Sequence, residues 1–100
     1  MAFESGALDT TISAAAAGDS ALFAELRGAF AQSVARQVDL LSRARCDGNW
    51  RVAAMRLKGL AATFHAGPLI ALADEALEAA PGEPTVVRAL KSYVDELSTS

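Results

Sequence analysis

The sequence has one cysteine, one histidine and few aromatic residues, and each shortage excludes a class of protein. Cys46 has no second cysteine to pair with, and no cysteine and histidine residues have the spacing of a zinc site. We therefore expect no internal disulfide, no bound metal and no cofactor. Phe, Trp and Tyr make up only 6% of the chain, which disfavours a bulky β core.

Basic residues and long apolar runs are also scarce. Nine Lys and Arg residues stand against twelve Asp and Glu residues, and the formal net charge is −3. A sequence-independent nucleic-acid binder needs a dominant basic face, so no nucleic-acid partner is expected. No stretch approaches the roughly 20 apolar residues of a membrane span, and the first residues lack the basic and apolar segments of a secretory signal. These absences predict a soluble cytoplasmic protein with no membrane partner.

Alanine and leucine at helical intervals fill most of the chain. Its 100 residues are 52% hydrophobic and 21% charged, which suits one small globular domain. Glycine, proline and capping residues divide it into five helical segments. We expect helices at about 8–17, 20–45, 49 or 50 to 65, from Pro68 onwards and after Pro84.

The short connections between these segments predict how the helices pack. Successive helices joined by a few residues become antiparallel neighbours, and four such helices close into a bundle. The predicted fold is therefore all-α, an antiparallel four-helix bundle with a short additional N-terminal helix. It forms one domain over 1–100, with its core at about 8–97.

The third segment presents two different faces on a helical wheel. The core face is predicted to comprise Trp50, Ala53, Leu57, Leu60 and Phe64. The outward face, within about 60° of Met55 on the wheel, comprises Arg51, Val52, Met55, Lys58, Gly59 and Ala62. A glycine inside a helix costs about 1 kcal/mol relative to alanine, so Gly59 indicates that something docks there. The alternative is a tolerated weakness in a helix held by its neighbours.

The run from Met55 to Phe64 reads Met-Arg-Leu-Lys-Gly-Leu-Ala-Ala-Thr-Phe. It resembles the His-x-Leu-Lys-Gly-x-Ala-x-x-Leu core of histidine-containing phosphotransfer (HPt) domains, the four-helix relay modules of two-component signalling. The likeness extends to residues 18–26, to the turn at 47–50 and to residues 69–78. It therefore covers nearly the whole chain.

The acceptor position departs from this pattern. The resemblance places the phosphorylated histidine of the family at position 55, where this sequence has Met55. A thioether cannot form a phosphoramidate. The interpretation is a degenerate HPt domain that is not an enzyme, and that binds a response-regulator receiver domain or a histidine kinase as a regulator or scaffold. His65 also replaces a glycine that the family has near the end of this helix.

The predicted partner-binding residues lie on or beside the outward face of the third helix: Arg51, Val52, Met55, Arg56, Lys58, Gly59 and Ala62. The resemblance implies that Lys58 occupies the position that helps to place the phosphoryl group, and that Gly59 gives clearance for the receiver. From Arg27 to Lys58 the sequence has seven basic and two acidic residues, an excess that would steer an acidic partner to this face. Ordinary solvated helix charges are the alternative.

Two other interpretations stay open. His65 could act as a substitute phosphoacceptor, although it lies about 80° around the helix and about 15 Å along it from Met55. The outward face could instead be a dimerisation surface, so the oligomeric state is undetermined. Trp50 is predicted to be a core anchor, and the acidic residues Asp74, Glu75 and Glu78 are predicted to be solvated.

Overall fold

A computed structural model of the chain describes residues 6–99. All regular secondary structure in this range is helical, which confirms the all-α prediction. The helices are α1 (Ala7–Ala16), α2 (Ser20–Arg43), α3 (Asp47–Thr63), α4 (Gly67–Glu78) and α5 (Pro84–Thr99). The predicted domain spans 1–100, of which residues 1–5 and Ser100 lie outside the described part. Within that part, no helix has both the length and the apolar character needed to cross a membrane.

Helix α2 makes contact with three other helices. It packs against α1, α3 and α5, while α4 packs against α3 and α5. All five helices contribute to one hydrophobic core. Its largest fully buried side chains are Leu8, Ile12, Phe30, Val34, Leu41, Leu57, Leu69, Leu90 and Tyr93.

Helix α2 begins where the sequence predicts and ends two residues earlier. The Asp19 carboxylate accepts hydrogen bonds from the amides of Ala21 and Leu22 at 3.0 and 3.1 Å, so Asp19 is the N-cap. The helix ends at Arg43 because Ala44 adopts an extended backbone, with φ −64° and ψ 134°, and places its side chain in the core.

Helix α3 begins at Asp47, earlier than predicted. Residues 47–50, expected to form a turn before the helix, instead form the first turn of α3, because the Trp50 amide donates to the Cys46 carbonyl at 3.1 Å. The carboxylate of Asp47 lies in this first turn, where the helix dipole favours negative charge. Helix α4 likewise begins at Gly67, one residue before Pro68.

Helices α1 and α3 both end at residues in the left-handed conformation that glycine favours. Ala17 follows α1 with φ 51°, so the prediction that the helix includes it was wrong by one residue. Helix α3 ends at Thr63 instead of His65, which has φ 58°. The amides of His65 and Ala66 donate to carbonyls of the last turn at 3.3 and 2.8 Å, which forms a Schellman motif. His65 thus occupies the position that glycine normally fills in this motif.

Candidate docking surface

The core face of α3 lies where the helical wheel predicts it. Trp50, Ala53 and Leu57 are buried, and Leu60 and Phe64 are half-buried against the core. The indole N–H of Trp50 donates to the Ala76 carbonyl of α4 at 2.7 Å, which confirms the predicted anchor.

Two further alanines of α3 are buried that the wheel left unassigned. Ala54 and Ala61 are fully buried, on the side of α3 from which Lys58 reaches α4. Small side chains there allow the two helices to approach closely.

The outward face of α3 is exposed, also as the wheel predicts. The exposed residues comprise the whole predicted partner-binding set: Arg51, Val52, Met55, Arg56, Lys58, Gly59 and Ala62. Val52 and Met55 expose 48% and 50% of their surface, and Leu40 of α2 exposes 40%. These are the three exposed large hydrophobic residues among residues 6–99.

Leu40 was missed by the sequence analysis. The core stripe of α2 runs through Val38 to Leu41, and adjacent residues on a helix point about 100° apart. Leu40 therefore cannot share the direction of Leu41, so the adjacent pair of leucines was a usable signal for an exposed apolar side chain.

Three shallow clefts adjoin one another along the outer boundary of α2 and α3. One is lined by Gly48, Arg51, Val52, Met55 and Arg56. The second is lined by Leu40, Arg43, Ala44, Asn49, Val52, Ala53 and Arg56. The third is lined by Ser33, Gln37, Arg56, Gly59, Leu60 and Thr63. Arg56 lines all three, and we call the surface formed by Leu40, Val52, Met55, Arg56 and Gly59 the α2–α3 groove.

Two of the predicted partner-binding residues lie outside the three clefts. Lys58 and Ala62 are exposed, but neither lines any of the three clefts. On the wheel they lie on the α4 side of Met55, whereas Arg56 lies on the α2 side. The open surface around Met55 therefore extends towards α2.

The cations near the groove differ in their partners. Arg51 and Arg56 form no ion pair with any described residue, whereas Arg43 pairs with Asp39 at 3.1 Å, one turn earlier on α2. The ammonium nitrogen of Lys58 lies 2.8 Å from a carboxylate oxygen of Asp74 on α4. The Asp74 side chain is 47% exposed, in keeping with a solvated charge, and its carboxylate also reaches across to α3.

Gly59 has no packing role within the chain. A Cβ atom built at Gly59 would meet no atom within 4 Å, and the same is true of Gly28 in the middle of α2. Each glycine weakens its helix by about 1 kcal/mol relative to alanine. Gly59 lines the groove, whereas Gly28 lines none of the three clefts.

A buried polar atom beside the groove also escaped the sequence analysis. The side-chain oxygen of Gln37 is buried and has no hydrogen-bond partner among the described residues. Gln37 lines the same cleft as Gly59. A buried acceptor left unsatisfied costs about 1–3 kcal/mol, so this oxygen lowers the stability of the fold beside that cleft.

His65 lies outside the groove. Its Nδ1 is 3.0 Å from the hydroxyl oxygen of Thr11 on α1, and that hydroxyl also donates to the Ala7 carbonyl at 2.9 Å. Because the hydroxyl has a single proton, this arrangement requires His65 to donate from Nδ1. The contact joins the end of α3 to α1, and His65 lines none of the three clefts.

No described group of three or more histidine, cysteine, aspartate or glutamate residues is arranged to hold a metal ion. The chain matches no protein-family model, and comparisons with curated proteins and with solved structures likewise give no match. Its function must therefore be argued from the groove itself.

Proposed function

We propose that the chain is a cytoplasmic docking module of the HPt kind that cannot carry phosphate. In this proposal α2 to α5 form an antiparallel four-helix bundle and α1 is the additional N-terminal helix. The α2–α3 groove binds a response-regulator receiver domain, or a histidine kinase, and the chain acts on it as a regulator or scaffold.

The observation that carries this proposal is the concentration of unpartnered side chains at one groove. Leu40, Val52 and Met55 are half-exposed apolar residues, and beside them lie Arg51 and Arg56, which form no ion pair within residues 6–99. An apolar centre with a charged rim is the usual anatomy of a protein interface, and arginine and methionine are enriched there. The unpaired arginines favour an acidic partner, which a receiver domain with its aspartate pocket provides.

Met55 suits a docking contact but cannot carry phosphate. Its flexible thioether adapts to irregular apolar surfaces, which suits a contact residue. The same side chain has no nitrogen lone pair, so it cannot take a phosphoryl group. If the surroundings of Met55 are those of an HPt acceptor, Met55→His should accept phosphate from a phosphorylated receiver, as measured by acid-labile label on the chain.

Phosphate transfer through His65 is the competing enzymatic proposal. A partner seated on Met55 would not meet His65, because His65 lies beyond the end of α3 and contacts α1. Acid-labile label that is retained by the chain without substitutions and lost in His65→Ala would favour phosphate transfer through His65.

Self-association through the groove is the structural alternative. A two-fold dimer brings identical patches together, so Arg51 and Arg56 of both copies would crowd at the interface. We therefore expect sedimentation of the free chain to report a monomer across concentration. A dimer that Met55→Glu dissociates would replace the docking proposal with an assembly role.

Binding to purified receiver domains, measured by calorimetry, tests the docking proposal. Met55→Glu places a carboxylate in the apolar centre and should weaken binding about tenfold or more, because it repels an acidic partner and competes for Arg51 and Arg56. Ala71→Glu is the matched control, because Ala71 is exposed on α4 and the charge change is the same. Equal binding by the two folded variants would contradict the groove as the contact surface.

A further inference from the structure

Lys58 differs from the other cations of the outward α3 face in having a carboxylate partner. The 2.8 Å separation between its ammonium nitrogen and the Asp74 carboxylate is that of a charge-assisted hydrogen bond. Both side chains are just under half exposed, at 45% and 47%. The pair therefore stands at the surface, where an incoming anion can compete for Lys58.

The position of the pair decides which approaching groups it affects. Lys58 lies on the α4 side of Met55, three residues further along α3, whereas Arg56 lies on the α2 side and lines the groove. An anionic group that approaches Met55 from the α2 side meets an unpaired arginine. Arg51 lies on the α4 side but one turn before Met55, so an anionic group that approaches from the α4 side beyond Met55 meets Lys58, which Asp74 already holds.

We propose that Asp74 is a specificity-determining residue of this docking surface, because it holds Lys58 and so weakens the cation that would receive an anion on the α4 side of Met55 towards the end of α3. The proposal rests on the docking function for its biological meaning. It adds that the surface selects partners by apolar contact and by carboxylates that reach Arg51 and Arg56. A phosphoryl group placed beside Lys58 must compete with Asp74 and so gains less than it would beside an unpaired lysine.

Inorganic phosphate is a suitable probe, since it supplies the anion without any receiver. Binding is followed by NMR on the side-chain signal of Lys58 and the amide signal of Gly59, at constant ionic strength. Asp74→Asn should lower the phosphate concentration for half-response of Lys58 about two- to fivefold, the range expected for losing an exposed ion pair. The gain should shrink in high salt.

Two controls separate a specific pair from a general change in charge. Glu75→Gln removes the same charge from an exposed neighbour on α4 that forms no ion pair with any described residue, and it should leave the response unchanged. In a Lys58→Gln background, adding Asp74→Asn should not alter the response of the Gly59 amide.

The proposal is overturned if Asp74→Asn has no effect, if Glu75→Gln has the same effect, or if the gain persists without Lys58. Because the measurement contains no receiver, it is independent of the docking test. A chain that binds phosphate as described but binds no receiver would refute the docking function alone. A chain that binds a receiver but whose phosphate response is unaffected by Asp74→Asn would refute only the role of Asp74.

Discussion

The two sides of α3 belong to one helix but have different physical reasons for their residues. On the buried side, Leu57 is fully enclosed and Trp50 donates a hydrogen bond to α4, so the fold explains each residue. On the outward side, Val52 and Met55 are half-exposed and Gly59 leaves open space. These outward residues therefore contribute little to folding, and the docking proposal assigns their role to a contact outside the chain.

Removing a large side chain from each face of α3 should have very different effects on stability. Leu57→Ala should lower the free energy of unfolding by about 2–5 kcal/mol, because it leaves a cavity in the core. Met55→Ala should change it by less than about 0.5 kcal/mol, as expected at an exposed site. Urea denaturation followed by circular dichroism measures both values. A loss of several kcal/mol at Met55 would show that the outward face is part of the fold.

The hydrogen bond of Trp50 can be removed while keeping an aromatic side chain. Trp50→Phe removes one of two hydrogen bonds to the Ala76 carbonyl, which also accepts from the Ala79 amide at 3.2 Å, so it should cost about 0.5–1.5 kcal/mol. Thermal denaturation by circular dichroism is a suitable measurement, since the variant has lost the single tryptophan. An unchanged midpoint would mean that this bond does not anchor α3 to α4.

Gly28 and Gly59 both have space for a Cβ atom, so substituting each with alanine separates an effect on stability from an effect on binding. Gly59→Ala and Gly28→Ala should each stabilise the chain by about 0.5–1 kcal/mol, because both are inside helices and neither meets a neighbour. Only Gly59→Ala should also weaken receiver binding in calorimetry, since only Gly59 lines the groove. Equal binding by the two variants would remove the functional reason for Gly59.

The smallest changes in stability are expected at the two residues with positive φ that follow α1 and α3, Ala17 and His65. Ala17→Gly should stabilise the chain by up to about 1 kcal/mol, because glycine adopts a positive φ without strain. His65→Gly should stabilise it less, since the contact with Thr11 is lost. Urea denaturation of the pair gives the difference. A marked loss of stability in His65→Gly would instead give the imidazole a main role in holding α1.

Local rules account for what the sequence predicts well. The helical class, the start of α2 and the two faces of α3 follow from periodicity and capping, which act within a few residues. The ends of α2 and α3 were placed less well, because the buried position of Ala44 and the left-handed turn at His65 depend on packing and backbone geometry.

The composition of the candidate site was predictable only in part. The wheel identifies Val52, Met55 and Gly59, since a single helix determines which way they face. It cannot supply Leu40 or Gln37 from α2, or the pairing of Lys58 with Asp74, because these depend on which helices become neighbours. Such contacts join residues that are distant in sequence.

The most direct test of the central claim uses the methyl signal of Met55. The chain contains two methionines, Met1 and Met55, so a sample labelled at the methionine methyl groups gives few signals to assign. On titration with a receiver domain that binds in calorimetry, we expect the Met55 signal to shift and to saturate at the same affinity. A Met55 signal that stays unchanged while the complex forms would contradict docking at the groove.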